Sequence, residues 1–271
     1  MKMKSLLDII LAPGGLYPVF QPIFEFGNNS YALYAVEGLI RGPKETPMEM
    51  PDILFEYVRR KGEEKAVDRA CLSLILEEAG RHPAGVPVSV NVHALTLGKD
   101  KEFASYISET AQANSIDPSN LIIEIVEHAP FWDESGLRDT LRELRDMGVK
   151  IALDDIGNGQ SNYRMLLDCR PDYFKIDRYI VDSCYTDPLR QSVLGSILKI
   201  ASEFGARVIA EGAEKTEDVA TLLHLGIDLI QGFLLARPMK LSDVMEKHAR
   251  TICSSQNLQI DVDSLKGNWS M

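Results

Sequence analysis

The chain alternates between two periodicities. Helical stretches with apolar residues three and four apart stop at glycine, and a short β-branched apolar run follows. "RDTLRELRDMG" ends at Gly148 and hands over to "VKIALDD"; "GSILKIASEFG" ends at Gly205 before "ARVIAEG"; "EDVATLLHLG" ends at Gly226 before "IDLIQGFLL". Glycine closes a helix in the left-handed conformation without a side-chain clash, and an unbroken apolar run suits a strand covered on both faces. Upstream, strands are read at "YPVFQPIFEF" and "YALYAVEGLIR", parted by the turn "GNNS". A largely helical stretch "DILFEYVRRKGEEKAVDRACLSLILEEAG" comes next, then the strand "VPVSVNV", the helix "KEFASYISETAQAN" and the strand "LIIEIVE". A strand "YFKID" precedes the long helix "PLRQSVLGSILKIASEFG". About eight strands alternating with helices predict an α/β fold, a (β/α)8 barrel, with a doubly wound open sheet as the alternative. The first two strands lie too close for a crossover helix. They are expected to pair as a hairpin, which sets one strand antiparallel to the rest.

Composition narrows the class. A length of 271 residues, 45% hydrophobic and 25% charged, fits an ordinary globular protein of one large or two small domains. The expected division is an N-terminal segment over residues 1–16, a main domain over 17–252 and a polar tail over 253–271. No apolar run approaches the roughly 20 residues of a membrane span, and Asp8 interrupts the short apolar patch near the start. Four scattered cysteines with no CxxC pair suit a reducing compartment, so a cytoplasmic location is expected. A formal net charge of −11 argues against non-specific binding to a nucleic acid polymer or an anionic membrane.

The polar residues fall at the strand ends, where barrel enzymes place their chemistry. Strand two carries Glu37, strand three Asn91, and strand four Glu124 and Glu127. Strand five ends on Asp154 and Asp155, strand six carries Lys175 and Asp177, strand seven ends at Glu211 with Glu214 beyond, and strand eight carries Gln231. A single acid after a strand is ordinarily a helix cap or a solvated loop residue. Acids on nearly every strand, with Glu37, Asn91 and Glu124 inside apolar runs, call for another account. A buried carboxylate without a partner either costs several kcal/mol or takes up a proton. All-oxygen ligands select hard cations such as Mg2+, Mn2+ or Ca2+, and adjacent Asp154 and Asp155 can bridge or share two of them. Such a site suits phosphoester hydrolysis. Lys175 fits beside a phosphate or the attacking water, or as an ion-pair partner of Asp155 or Glu211. Arg41 can fork onto a phosphate or be a surface charge. The five histidines share no ligand spacing, and His93 and His128 read as structural or solvent-facing. Neither a Gly-rich phosphate loop nor a serine nucleophile elbow occurs.

Eight short motifs follow one another along the chain: "FQPI", "VEGLIR", "VNV", "EIVE", "DDIGNG", "FKID", "AEGAE" and "QGFLLARP". In that order the chain resembles the EAL domain family of bacterial cyclic di-GMP phosphodiesterases, from about Tyr17 to Met239. The resemblance implies a modified barrel with its first strand antiparallel and hydrolysis of cyclic di-GMP to the linear dinucleotide pGpG. It also implies two ions of Mg2+ or Mn2+, with Ca2+ inhibitory, and a homodimer. By motif position, Glu37, Asn91, Glu124 and Asp154 would hold the first ion, and Asp154, Asp155 and Glu211 the second. Lys175 would position or deprotonate water, with Glu211 the other candidate base, and Gln231 would support the water and metal shell. Gln21, Glu37, Leu39, Arg41 and Asp177 would face substrate. Glu127 would anchor the loop from Ile156 to Tyr163 and couple it to the dimer interface. The departures are Gly38 for the signature alanine, read as a small-for-small swap, Val126 for threonine, and Ile156, Asn158, Gln160 and Asn162 in the loop. None removes an expected metal ligand. The alternatives are a receptor that binds the nucleotide without turnover and a protein-interaction module.

Overall fold

The computed structural model describes residues 5–27, 30–82, 85–126, 134–157 and 163–253. Among these residues eight strands close into a barrel in chain order. They are β1 (Tyr17–Gly27), β2 (Ser30–Arg41), β3 (Val88–His93), β4 (Leu121–Val126), β5 (Lys150–Ile156), β6 (Tyr173–Ile176), β7 (Arg207–Ala210) and β8 (Leu229–Ile230). β1 runs antiparallel to both β2 and β8, and the other neighbours are parallel. The hairpin expectation therefore holds, and closure rules out the open sheet. Helices between the strands, among them Glu64–Gly80 and Pro188–Phe204, pack on the outside.

Two local differences from the sequence reading have plain causes. The helical stretch after β2 is broken at Gly62, whose φ of 68° ends the helix Pro51–Lys61. The apolar run "IDLIQGFLL" forms a strand over Leu229–Ile230 alone. Beyond it the chain folds back, with Gln231 O accepting from Ala213 N and Ala213 O accepting from Leu234 N.

The barrel interior follows the two-residue period of a strand. One buried apolar cluster contains Ile23, Ala35, Ile122, Ala152, Tyr173, Ile209 and Leu229. Two residues further along β2 and β4 to β8 stand Glu37, Glu124, Asp154, Lys175, Glu211 and Gln231. On the antiparallel β1 the step is reversed, from Ile23 back to Gln21. The apolar plug and the polar layer thus arise from one alternation, and the polar layer lies at the end where parallel strands present catalytic groups.

Candidate functional site

Lys175, 1% exposed, lies at the centre of the polar layer. Its Nζ is 2.5 Å from Glu124 Oε2, 2.6 Å from Glu211 Oε1, 3.4 Å from Asp154 Oδ1 and 3.5 Å from Glu37 Oε1. Glu37 Oε1 also accepts from Asn91 Nδ2 at 2.8 Å, and Oε2 from Gln231 Nε2 at 2.7 Å. Ser89 Oγ donates to Glu124 Oε1. The amide oxygens Asn91 Oδ1 and Gln231 Oε1 are buried and accept no hydrogen bond among the described residues. A buried acceptor left so is unfavourable unless something else meets it. Asp154, Asp155 and Glu211 offer oxygens within 4.8 Å of one another. Carboxylates plus orphaned amide oxygens are the donor set of a hard divalent cation, so these residues fit one.

Adjacent residues of a regular strand point to opposite faces, yet Asp154 and Asp155 join one site. The reason is a β-bulge. Between the pairs Leu153↔Phe174 and Ile156↔Ile176, β5 carries one more residue than β6. Asp155 has φ 54°, a left-handed conformation that aspartate tolerates better than most side chains. The irregularity re-aims the second carboxylate.

Crowding sets the protonation states. Burial, then the neighbouring Glu37 carboxylate, pushes Glu124 up to about 8. Burial, then Asp154 and Asp177, pushes Asp155 up to about 7. Burial also holds Glu211 well above the usual carboxylate range, against the pull of Lys175. For Glu37, burial acts upward but is outweighed by Lys175, Gln231 and Asn91, leaving the group below its ordinary value. For Lys175, burial acts downward and the surrounding carboxylates override it, so the ammonium is held charged.

Two adjoining cavities open on this cluster, of about 440 and 240 Å3. Glu37, Leu39 and Asp154 line both. Arg41, Asn91 and Asp155 line the larger; Gln21, Asp177, Lys175, Glu211 and Gln231 line the smaller. Most of the expected site residues therefore meet in one two-lobed cleft. Asp177 also caps the helix Arg178–Val181 by accepting from Tyr179 N, and Gln21 Nε2 donates to Ala236 O. The ion pair allowed for Lys175 is realised with Glu211. Glu127, His128 and residues 158–162 lie outside the described residues.

Two participants escaped the sequence reading. Ser89, at an inward position of β3, was visible only as the partner of Asn91 in the alternation. Asp68 sits in an apolar helix with no local signal, and it accepts from His93 and Thr96. His93 does not face bulk solvent: its side chain is 11% exposed and lines the larger cavity.

The model of the EAL domain family matches residues 5–238. The chain belongs to the EAL family. It is 31% identical over 196 residues to "Probable cyclic di-GMP phosphodiesterase PdeA" of Escherichia coli K12, covering 71% of this chain and 27% of that protein. It is 32% identical over 172 residues to the cyclic di-GMP phosphodiesterase RocR of Pseudomonas aeruginosa, covering 63% of this chain and 42% of the relative. The EAL chain here thus matches less than half the length of either. A solved structure of Klebsiella pneumoniae BlrP1 with manganese and cyclic di-GMP superposes with a TM-score of 0.74 at 25% identity, covering 85% of this chain and 57% of that one. No helix among the described residues of the EAL barrel is long and apolar enough to cross a membrane.

Proposed function

We propose that this chain is a metal-dependent phosphodiesterase that opens cyclic di-GMP to linear pGpG. The observation that carries the reading is the single cluster of Glu37, Asn91, Glu124, Asp154, Asp155 and Glu211 around Lys175. The names of its EAL relatives supply the substrate. Asn91 Oδ1, Glu37, Glu124 and Asp154 would hold one Mg2+ or Mn2+, and Asp154, Asp155 and Glu211 a second. Bound there, such ions supply charge stabilisation for the phosphodiester oxygens and acidify water.

The chain's own groups divide the remaining work. Lys175, at the centre of the cluster, positions the attacking water or takes up its proton. Glu211, whose Oε1 is 2.6 Å from Lys175 Nζ, is the other candidate to accept the proton that water loses. A new P–O bond forms as the P–O3′ bond breaks, and the 3′ oxygen leaves as a hydroxyl by taking up the proton that the attacking water gave to the base. Two lobes flanking Asp154 suit a ligand with two nucleoside halves. Leu39, Gln21, Arg41 and Asp177 line the lobes and orient them.

Two further parts of the reading concern the setting. The chain is proposed to act as a homodimer, supported by exposed apolar residues on the helices after β5 and β6: Tyr163 at 75%, Leu167 at 67% and Leu189 at 77%. A cytoplasmic location is supported by Cys71 and Cys184, which are buried thiols.

The test is hydrolysis of cyclic di-GMP with Mn2+ and chromatographic identification of the product. Asp154→Ala is expected to lower kcat by about three orders of magnitude, given the several kcal/mol a bound cation supplies, while circular dichroism stays native. Retained activity would refute the metal assignment. Tight nucleotide binding without product would leave a receptor instead.

A further inference from the structure

Asp68 is 1% exposed and does three things at once. Its Oδ2 accepts from His93 N at 3.1 Å and Thr96 Oγ1 at 2.5 Å, which ties the end of β3 to the helix Glu64–Gly80. Its Oδ1 lies 2.8 Å from His93 Nδ1. A carboxylate only accepts, so Nδ1 carries the proton and the imidazole plane is locked. The backbone and Thr96 contacts already account for the structural tie. The ring contact adds to that tie and also fixes His93 against the larger lobe of the cleft.

Phe55 stands on the same wall. Its ring centroid is 5.8 Å from that of His93, at an interplanar angle of 56°. Both rings line the lobe that also reaches Glu37, Asn91 and Asp154. Two oriented aromatic faces beside an apolar floor, here Ile75, are the surface on which a flat heterocycle stacks. The smaller lobe offers Lys175, Glu211 and Gln231 beside a single aromatic ring, Phe233. The two halves of a symmetric dinucleotide would therefore meet unlike surroundings.

We propose that Phe55 and His93 form a nucleobase subsite in the larger lobe, with Asp68 as the residue that positions the imidazole. The subsite gives affinity for a purine-bearing diester and leaves the bond-breaking groups untouched. The inference rests on the dinucleotide reading above.

The test compares two substrates with Mn2+: cyclic di-GMP, and bis(p-nitrophenyl) phosphate, a diester with no nucleobase. Phe55→Ala, His93→Ala and Asp68→Asn are each expected to raise the ratio of KM for cyclic di-GMP to KM for the aryl diester by about ten-fold, within the range of base–aromatic stacking. Phe55→Tyr keeps a ring and should hold the ratio near the parent value. Calorimetry of cyclic di-GMP binding in Ca2+ should show the same loss of affinity. Because Asp68→Asn disturbs a buried tie, its melting temperature is followed alongside. If it unfolds, the Phe55 pair carries the test. Folded variants with an unchanged ratio, or an equal loss on both substrates, overturn the subsite. A parent protein that cleaves the aryl diester but neither cleaves nor binds cyclic di-GMP overturns the substrate reading, and the subsite with it. A parent that binds the nucleotide without turnover removes only the catalytic reading, and calorimetry then decides the subsite.

Discussion

Lys175 stands where several negative charges need a cation. Four carboxylates lie within 3.5 Å of its Nζ. In protein stripped of metal, the ammonium is the charge that holds these acids together. Lys175→Met is expected to destabilise the metal-free protein by about 3–5 kcal/mol, the loss that follows removal of one partner from a buried ion pair. Mn2+ should then raise the melting temperature of the variant more than that of the parent. The acids also predict a pH dependence. Glu124 is raised from 4.5 to about 8, so the folded protein binds its proton more tightly than the unfolded chain does. The stability this confers is complete below pH 4.5 and is lost as the pH climbs through about 8. Asp155 acts in the same direction between 3.8 and about 7. Metal-free protein should therefore melt progressively lower from pH 5 to pH 8.5, roughly the span of these shifts. Over the same span Mn2+ should bind more tightly, because its ligands must lose their protons. Thermal melts with and without Mn2+ across that range measure both trends.

At the scale of single elements, two positions show what a strand's neighbours impose. The bulge in β5 requires residue 155 to sit at φ 54°. Asp155→Asn keeps a side chain that tolerates this conformation, whereas Asp155→Ala does not, and the alanine variant should be less stable by about 1 kcal/mol. Both should bind metal more weakly, so chemical denaturation separates the backbone effect from the ligand effect. In β2, Gly38 was read as a harmless exchange for alanine. A methyl added there would stand 2.6 Å from Ile75 Cγ2 on the helix Glu64–Gly80. The exchange is therefore tied to a large partner. Gly38→Ala should destabilise by about 1–3 kcal/mol through overpacking, and adding Ile75→Val should recover part of that loss. Sequence periodicity located both elements. It could not show the bulge or the opposing isoleucine, because each depends on an element distant in the chain.

At the scale of the whole molecule, the barrel converts eight separate strand ends into one mouth. The proposed dimer belongs to this scale, because it depends on a surface and not on a motif. Leu189 is 77% exposed on the helix Pro188–Phe204. Charging it, with Leu189→Glu, should shift sedimentation from dimer toward monomer with no change in melting temperature beyond the roughly 0.5 kcal/mol usual for surface changes.

While closure into a barrel came with the tertiary structure, the amino-acid order alone indicated about eight strands alternating with helices, one antiparallel strand and a polar residue at nearly every strand end. Those properties follow from short-range rules: the two-residue period of strands, glycine at helix ends, and a hairpin too short for a crossover. Only the tertiary structure decided that Lys175 bridges four carboxylates, that a bulge turns Asp155 to join Asp154, and that Asp68 orients His93. Each joins residues from different elements, and a contact between elements is set by how they pack.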